Sequence, residues 1–256
     1  MESFTLTRKE MSTLLLSLQG ASELTPLSIL QRAWTKNHQS MDREGSVPSS
    51  ILPEMPHIIE KLLKGTPFTG FSLHEIADLG HLIEHSNVSI TSIQNWVKRD
   101  FKEMFITTKE GRKYAVNQAA LLYIIDDLKS TLDFLSIRKL FQTLFFSEHQ
   151  VRGAYELIEP IQFYHIYATM FEEMDGNNDQ VFDIVGHGAA GRSQDSLLEK
   201  MVQGHADRIT QQLTYLSQVQ QKIVSNVLVI ASLSVQTSYL HSISKKYYNA
   251  TMFLEY

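Results

Sequence analysis

The 256-residue sequence contains no cysteine, which excludes disulfide-stapled scaffolds and metal sites built from thiolates. It also lacks a strong net charge, because 23 Lys and Arg against 28 Asp and Glu give −5. A chain with this balance is not basic overall, so any surface for nucleic acid has to be local. Hydrophobic residues make up 43% of the chain, which is enough for a core and too many for wholesale disorder.

Targeting signals and long apolar runs are scarce as well. Glu2 precedes the first basic residues, and no clean cleavage site follows the short apolar run near the start, which is unlike a secretory signal. The longest apolar stretch, residues 223–235, is too short to span a bilayer and contains Ser and Asn. The sequence therefore predicts a cytoplasmic protein with no membrane partner.

Local start and stop signals predict a mainly α chain. Thr7 with Glu10 and Ser72 with Glu75 fit capping boxes, and apolar residues follow each at helical spacing. Asn87 suits a tight turn, Ser89 can cap the helix after it, and Asn117 can cap another. We expect helices near residues 8–18, 25–38, 56–64, 72–83, 89–101, 117–132 and 136–146, then a helical tail with one or two long helices in 197–248.

The segment 105–116 interrupts this pattern with β-forming residues on both sides of Lys109-Glu110-Gly111, which predicts a hairpin. The order helix, tight turn, helix, hairpin, helix, helix predicts a winged helix-turn-helix. The expected fold is thus mainly α, with a winged helix-turn-helix followed by a helical C-terminal region. The predicted domains are an N-terminal helical segment and linker over 1–50, the winged domain over 51–150 and the tail over 151–256.

The stretch SITSIQNWVKR, residues 89–99, is the candidate reading helix. Ile93, Trp96 and Val97 can pack against the preceding helix, while the remaining arc is polar. Gln and Asn can pair with adenine in the major groove, and Lys and Arg can reach guanine or phosphates. The predicted DNA-binding residues are Ser89, Thr91, Ser92, Gln94, Asn95, Lys98, Arg99, Lys102, Lys109, Arg112, Lys113 and Tyr114. An ordinary amphipathic surface helix would show the same pattern, so the helix alone leaves both interpretations open.

Charge and motif order favour the DNA interpretation. Residues 92–114 hold six basic and three acidic side chains, whereas residues from 151 onward hold seven basic and eleven acidic ones. From about Phe71 to Phe145 the chain resembles the DNA-binding domain of MerR-type regulators. Its elements follow the same order: the turn Asn87-Val88-Ser89, the reading helix, a basic wing and a helix pair. The phrases IQNWVKRDFKE and GRKYAVNQAALLYIIDDLK are similar to the bacterial "domain of unknown function 1836" family, which is regarded as MerR-like.

The MerR resemblance implies a DNA-binding domain, dimerisation through a helix beyond it, and a bound effector. The chain departs from the MerR pattern at Gln94 and Asn95, where Arg and Tyr are common, while Trp96 matches a second Tyr. Base preference therefore does not carry over. The absence of cysteine also excludes metal sensing through thiolates.

Three other patterns lack the context that their chemistry needs. Residues 186–191 spell GxGxxG, but no second parallel strand follows, which favours a loop over a dinucleotide site. Residues 175–186 begin like a calcium-binding EF-hand, yet Gln180 and Gly186 stand where Gly and Glu are required. His81 and His85 provide two metal ligands, fewer than a site requires. We therefore expect no catalytic residue, no metal and no cofactor.

The expected function is a transcriptional regulator that binds double-stranded DNA as a homodimer and responds to an unknown small-molecule effector. The apolar run 223–235 is either the core of the tail or a subunit interface. The alternative is a non-enzymatic protein-interaction module that keeps the winged fold without reading DNA. An enzyme would need a pocket with convergent titratable groups in the tail, around His187 or Asp183.

Overall fold

A computed structural model describes residues 4–41, 56–64, 67–105, 113–146, 156–176, 182 and 194–254. These residues are mainly helical, as the sequence predicts. The helices are α1 (Arg8–Leu18), α2 (Pro26–Met41), α3 (His57–Leu63), α4 (Leu73–Gly80), α5 (Ile90–Asn95), α6 (Val116–Leu128), α7 (Phe134–Leu144), α8 (Pro160–Met174), α9 (Gln194–Thr210) and α10 (Gln218–Leu254). A π-helical turn, Trp96–Asp100, and a 3-10 turn, Lys102–Met104, follow α5.

The chain packs as two compact units. Unit 1 comprises Met1–Tyr123 and unit 2 comprises Ile124–Tyr256, so the division lies within α6. Unit 1 contains helices α1 to α5 and the first part of α6. The predicted limits at residues 50 and 150 divide the chain into domains that fold separately, which is a different property from compact packing. Those limits stay a prediction.

Both predicted capping boxes are present. The Thr7 hydroxyl accepts the Glu10 N–H and the Glu10 carboxylate accepts the Thr7 N–H, at 3.1 and 2.8 Å. Ser72 and Glu75 repeat the arrangement at the start of α4, at 3.2 and 2.8 Å. These bonds satisfy N–H groups that have no partner within the helix, which is why both helices begin where the sequence signals them.

Two local predictions were wrong. Asn117 lies inside α6, which begins at Val116, and the Gln118 side chain accepts the Ala115 N–H at 2.9 Å in place of an Asn cap. The left-handed residue in the turn after α4 is His85, with φ of 58°, whereas the sequence pointed to Asn87. Several residue types tolerate each position, so the choice depends on packing around the turn.

The predicted two-stranded hairpin is not seen in the described part of the chain. Tyr114 instead forms an isolated antiparallel bridge with Phe71, with N–H to O distances of 2.7 and 2.8 Å. Phe105, on the other side of the segment, ends the 3-10 turn. Residues 106–112, with Lys109 and Arg112, lie outside the described residues.

Gly80 lets α4 approach its neighbours in unit 1 closely. A Cβ at this position would lie 2.3 Å from Val88 Cγ1 and 3.2 Å from Tyr123 Cε1. The Tyr123 hydroxyl donates to the Ile76 carbonyl at 2.9 Å, one turn before Gly80. The missing side chain therefore lets α4 pack directly against the following turn and α6.

In unit 2, the long helix α10 supplies much of the core. Val224, Leu228, Ala231 and Val235 are each at most 1% exposed, so the apolar run 223–235 is core within a single chain. By length and composition α10 could also cross a membrane. Half of its most apolar window is buried inside the protein, and a soluble core helix passes the same test. The cytoplasmic location stays a prediction.

Candidate nucleic-acid interface

The helix α5 and the π turn after it have one buried and one exposed side. Ile93, Trp96 and Val97 are 0%, 3% and 8% exposed, which confirms their predicted packing role. The polar residues of the other side are exposed at Thr91, Asn95, Lys98 and Arg99 and partly exposed at Ser92 and Gln94. The sequence thus correctly divided packing residues from outward-facing ones, while their role in DNA binding stays a prediction.

The sequence did not predict the π turn. This turn explains how the segment after α5 keeps its apolar residues buried and its charged residues exposed. The Phe101 N–H donates to the Trp96 carbonyl at 2.8 Å, a bond across five residues. Five residues make about 1.4 turns of an α-helix, which would rotate Phe101 away from Trp96. The wider π turn brings Phe101 back towards the same side, where it is fully buried. Lys98 and Arg99 are left on the outside.

The hydroxyls at the start of α5 form a cap. Ser89 Oγ accepts the Ser92 N–H at 3.1 Å, and the two hydroxyl oxygens lie 2.9 Å apart. Ser89 is therefore the N-cap residue that the sequence predicted. Both side chains have a structural role whether or not they also reach a ligand.

The exposed cations of this surface differ in their partners. Arg99 Nε donates to Asp100 Oδ1 at 2.9 Å, and this hydrogen bond, with the attraction between the charges, raises the pKa of Arg99. Lys98 and Lys102 are exposed and form no ion pair with any residue that the structure describes. Lys98 and Lys102 are thus the cations most available to a phosphate. We call Thr91, Gln94, Asn95, Lys98, Arg99 and Lys102 the polar face.

Two of the four predicted wing residues, Lys113 and Tyr114, lie within the described part of the chain. Lys113 is partly exposed and its Nζ donates to the Gly70 carbonyl at 3.3 Å. Tyr114 is only 6% exposed, so we remove it from the candidate interface. Its burial follows from the bridge to Phe71, which holds this backbone against the core. Lys109 and Arg112 belong to the segment that the structure does not describe.

The start of α4 is held by a residue that the sequence analysis missed. Lys61 of α3 forms an ion pair with Glu75 at 2.6 Å, and the Glu75 side chain is 13% exposed. Burial by itself would raise the pKa of Glu75, but hydrogen bonds from Lys61 and Ser72 outweigh it and lower the pKa. This pair therefore links α3 to the start of α4.

The turn between α4 and α5 is held by the N-terminal segment. Leu6 forms a parallel bridge with Ile83, with bonds of 2.7 Å to the Leu82 carbonyl and 3.1 Å from the Glu84 N–H. The Arg8 guanidinium, 5% exposed, donates to the Glu84 carbonyl at 3.0 Å. Burial and the Arg8 charge lower the pKa of the neighbouring His85. No local pattern in the sequence indicates these contacts, because their partners are more than 70 residues apart.

Within the described ranges, no group of three or more His, Asp or Glu side chains could hold a metal ion. His81 is exposed and His85 is partly buried beside Arg8. The GxGxxG segment at 186–191 and the candidate residues Asp183 and His187 lie outside the described residues. The candidate site in the described residues is thus the polar face, which follows a turn that Leu6 and Arg8 hold in place.

Comparison with known proteins agrees with the resemblance to the "domain of unknown function 1836" family, whereas the MerR resemblance stays a prediction. The chain is 29% identical over 246 residues to "Uncharacterized protein YkrK" of Bacillus subtilis (strain 168), covering 96% of this chain and 97% of the relative. No solved structure matches the chain. Residues 72–167 match the family described as "Domain of unknown function (DUF1836)", so this part of the chain, which includes the whole polar face, is similar to that family.

Proposed function

We propose that this protein is a DNA-binding transcriptional regulator and that its polar face enters the major groove of double-stranded DNA. The supporting observation is the exposure of Asn95, Lys98 and Lys102 on a helical segment whose other side is buried. An α-helix fits the major groove, and its outward side chains must carry hydrogen-bonding groups. The contacts of Leu6 and Arg8 with the preceding turn hold this helix in place.

The amides and the cations of the polar face have different roles in this proposal. Asn95 pairs with a base edge, preferably adenine, because an amide offers one donor and one acceptor. Gln94, which is partly exposed, assists at the next base. Lys98, Lys102 and Arg99 bind phosphates and provide affinity without sequence preference. The partial engagement of Arg99 with Asp100 makes it the weakest of the three cations.

The proposed regulator is a homodimer that pairs through the end of α10. Tyr247 and Tyr248 are 71% and 62% exposed there, and Phe253 and Leu254 are both 83% exposed. Large apolar side chains exposed together on one helix often mark an interface. Two copies would present two polar faces to paired half-sites, which raises specificity.

Salt dependence of binding to a mixed-sequence duplex tests the proposal. Removal of one phosphate-binding side chain should lower the slope of log K against log salt by about one. We expect Lys98→Ala with Lys102→Ala to lower this slope by about two and to weaken binding at every sequence. Lys200→Ala, which removes an exposed lysine of α9, is the matched control and should change neither quantity. Unchanged affinity and slope in the double variant would contradict the proposal.

Two observations favour the alternative, a protein-interaction module. Asp100 neutralises Arg99 within the candidate interface, and the whole chain carries a net charge of −5. A module that binds protein would tolerate both features. If the wild-type protein showed no salt-dependent DNA binding, the alternative would become the better account.

A further inference from the structure

A second feature of unit 1 lies apart from the polar face. A cavity of about 580 Å³ is enclosed by Phe4, α2 and α3. Leu30 and Ile59 at its floor are 4% and 1% exposed, while Leu27 and Leu63 at its rim are 41% and 39% exposed. It is therefore an open, apolar cavity with a closed floor, and its volume lies within the range of about 300–1,000 Å³ that is typical of small-molecule sites.

One wall of this cavity is aromatic. The rings of Phe4 and Trp34 lie with centroids 5.7 Å apart and planes inclined at 44°. Both side chains are partly exposed and both line the cavity. Aromatic side chains pack well in offset or edge-to-face contacts with a further ring, so the wall suits a planar aromatic ligand.

A charged hollow adjoins the cavity on the surface of α2. It measures about 390 Å³, is lined by Ser28, Arg32 and Lys36, and shares Gln31 and Thr35 with the apolar cavity. Arg32 and Lys36 are exposed and lie one helical turn apart. Neither forms an ion pair with another residue among those described. Two available cations beside an apolar cavity complement a ligand that is apolar at one end and anionic at the other.

We propose that this cavity binds an aromatic acid, with its rings against Phe4 and Trp34 and its anionic group towards Arg32 and Lys36. A neutral hydrocarbon would leave the cations unused, and a free anion would leave the apolar cavity empty. The proposal concerns ligand binding alone and does not depend on whether the protein binds DNA.

The bound acid also stabilises unit 1. Phe4 is two residues from Leu6, which bridges the turn before α5, and α3 carries Lys61, which holds the start of α4. A ligand that touches both Phe4 and α3 therefore contacts both segments that hold the helix-turn-helix. Because the ligand binds only the folded unit, it raises the unfolding temperature.

The test uses two fluorescent probes with the same rings. 1-Anilinonaphthalene-8-sulfonate carries one anionic group, and N-phenyl-1-naphthylamine carries none. Titration of the full chain should give one site per chain with energy transfer from Trp34. The sulfonate should bind about threefold to tenfold more tightly than the neutral probe, as expected for contact with two exposed cations. The transfer should be reduced in Trp34→Phe, and the part that remains should come from the other tryptophan, the buried Trp96.

Variants at the rim and at the cations separate the two parts of the site. Two substitutions on different helices, Leu27→Arg and Leu63→Arg, each fill the mouth of the cavity. Each should lower the affinity for both probes at least about tenfold. Leu135→Arg alters an exposed leucine of α7, at 56% exposure, and should leave both affinities unchanged. Arg32→Gln with Lys36→Gln should remove the preference for the sulfonate, and Lys200→Gln should not.

Several results would overturn the proposal. Binding that does not saturate, or that saturates at several probes per chain, would show general adsorption to exposed apolar residues. Equal affinity of the folded rim variants and the wild type would show that the probe binds elsewhere. Equal affinity for the two probes in the wild type would refute the role of Arg32 and Lys36, and with it the assignment of an acid.

Discussion

At the scale of single residues, Gly80 is a position in α4 that leaves no room for a side chain. Any side chain there would meet Val88 Cγ1 at 2.3 Å, a distance that real Cβ contacts do not reach. We expect Gly80→Ala to lower the free energy of unfolding by about 1–3 kcal/mol, the usual cost of overpacking. Chemical denaturation followed by circular dichroism measures this change.

Gly204 is a matched control for that substitution. It lies inside α9, and a Cβ added to it would meet nothing within 4 Å. Gly204→Ala should therefore stabilise the protein by about 0.5–1 kcal/mol, because alanine is the better helix former. Val88→Ala combined with Gly80→Ala should recover part of the stability. If both glycine variants changed stability equally, the close packing at Gly80 would be refuted.

At the scale of elements, the ion pair between α3 and α4 makes stability depend on pH. The pKa of Glu75 is lowered in the folded chain from an unfolded value near 4.3. The pair's contribution is therefore complete above about pH 4.3 and is lost as the pH falls through the folded pKa. Glu75→Gln keeps the capping geometry but loses the charge, and should cost about 0.5–1 kcal/mol at pH 7.

Glu60→Gln is the control for the pH prediction. Glu60 pairs with Lys64 on the same helix at 3.7 Å, but both side chains are exposed, so its removal should change stability little. The difference between Glu75→Gln and the wild type should shrink towards acid pH, as measured by thermal unfolding across the pH range. A difference that persists unchanged below pH 3 would mean that packing, and not charge, is responsible.

At the scale of the whole molecule, the end of α10 is the proposed source of dimerisation. From Ser244 to Leu254 nearly every residue is exposed, so this part adds little to the fold of the single chain. Deletion of residues 244–256 should therefore leave the single chain folded while converting a dimer into a monomer. Sedimentation velocity over a range of concentrations measures the mass. A truncated chain that remained dimeric would place the interface elsewhere.

Local signals in the sequence predicted the helix starts at Thr7, Ser72 and Ser89 and the buried side of α5, because each depends on residues within one or two turns. The π turn, the Leu6–Ile83 bridge and the Lys61–Glu75 pair could not be predicted in this way. They depend on contacts between segments distant in sequence, or on the demand that Phe101 remain buried. The bridge between Tyr114 and the distant Phe71 could not be predicted for the same reason.

The most direct measurement of the central claim is selection of preferred duplexes from a randomised library by the wild type and by Asn95→Ala. If Asn95 reads a base, the wild type enriches a defined sequence. Asn95→Ala then loses preference at one position of each half-site, while its affinity for mixed-sequence DNA at low salt changes by no more than about twofold. Failure of the wild type to enrich any sequence, or an identical selected sequence from Asn95→Ala, would contradict the account.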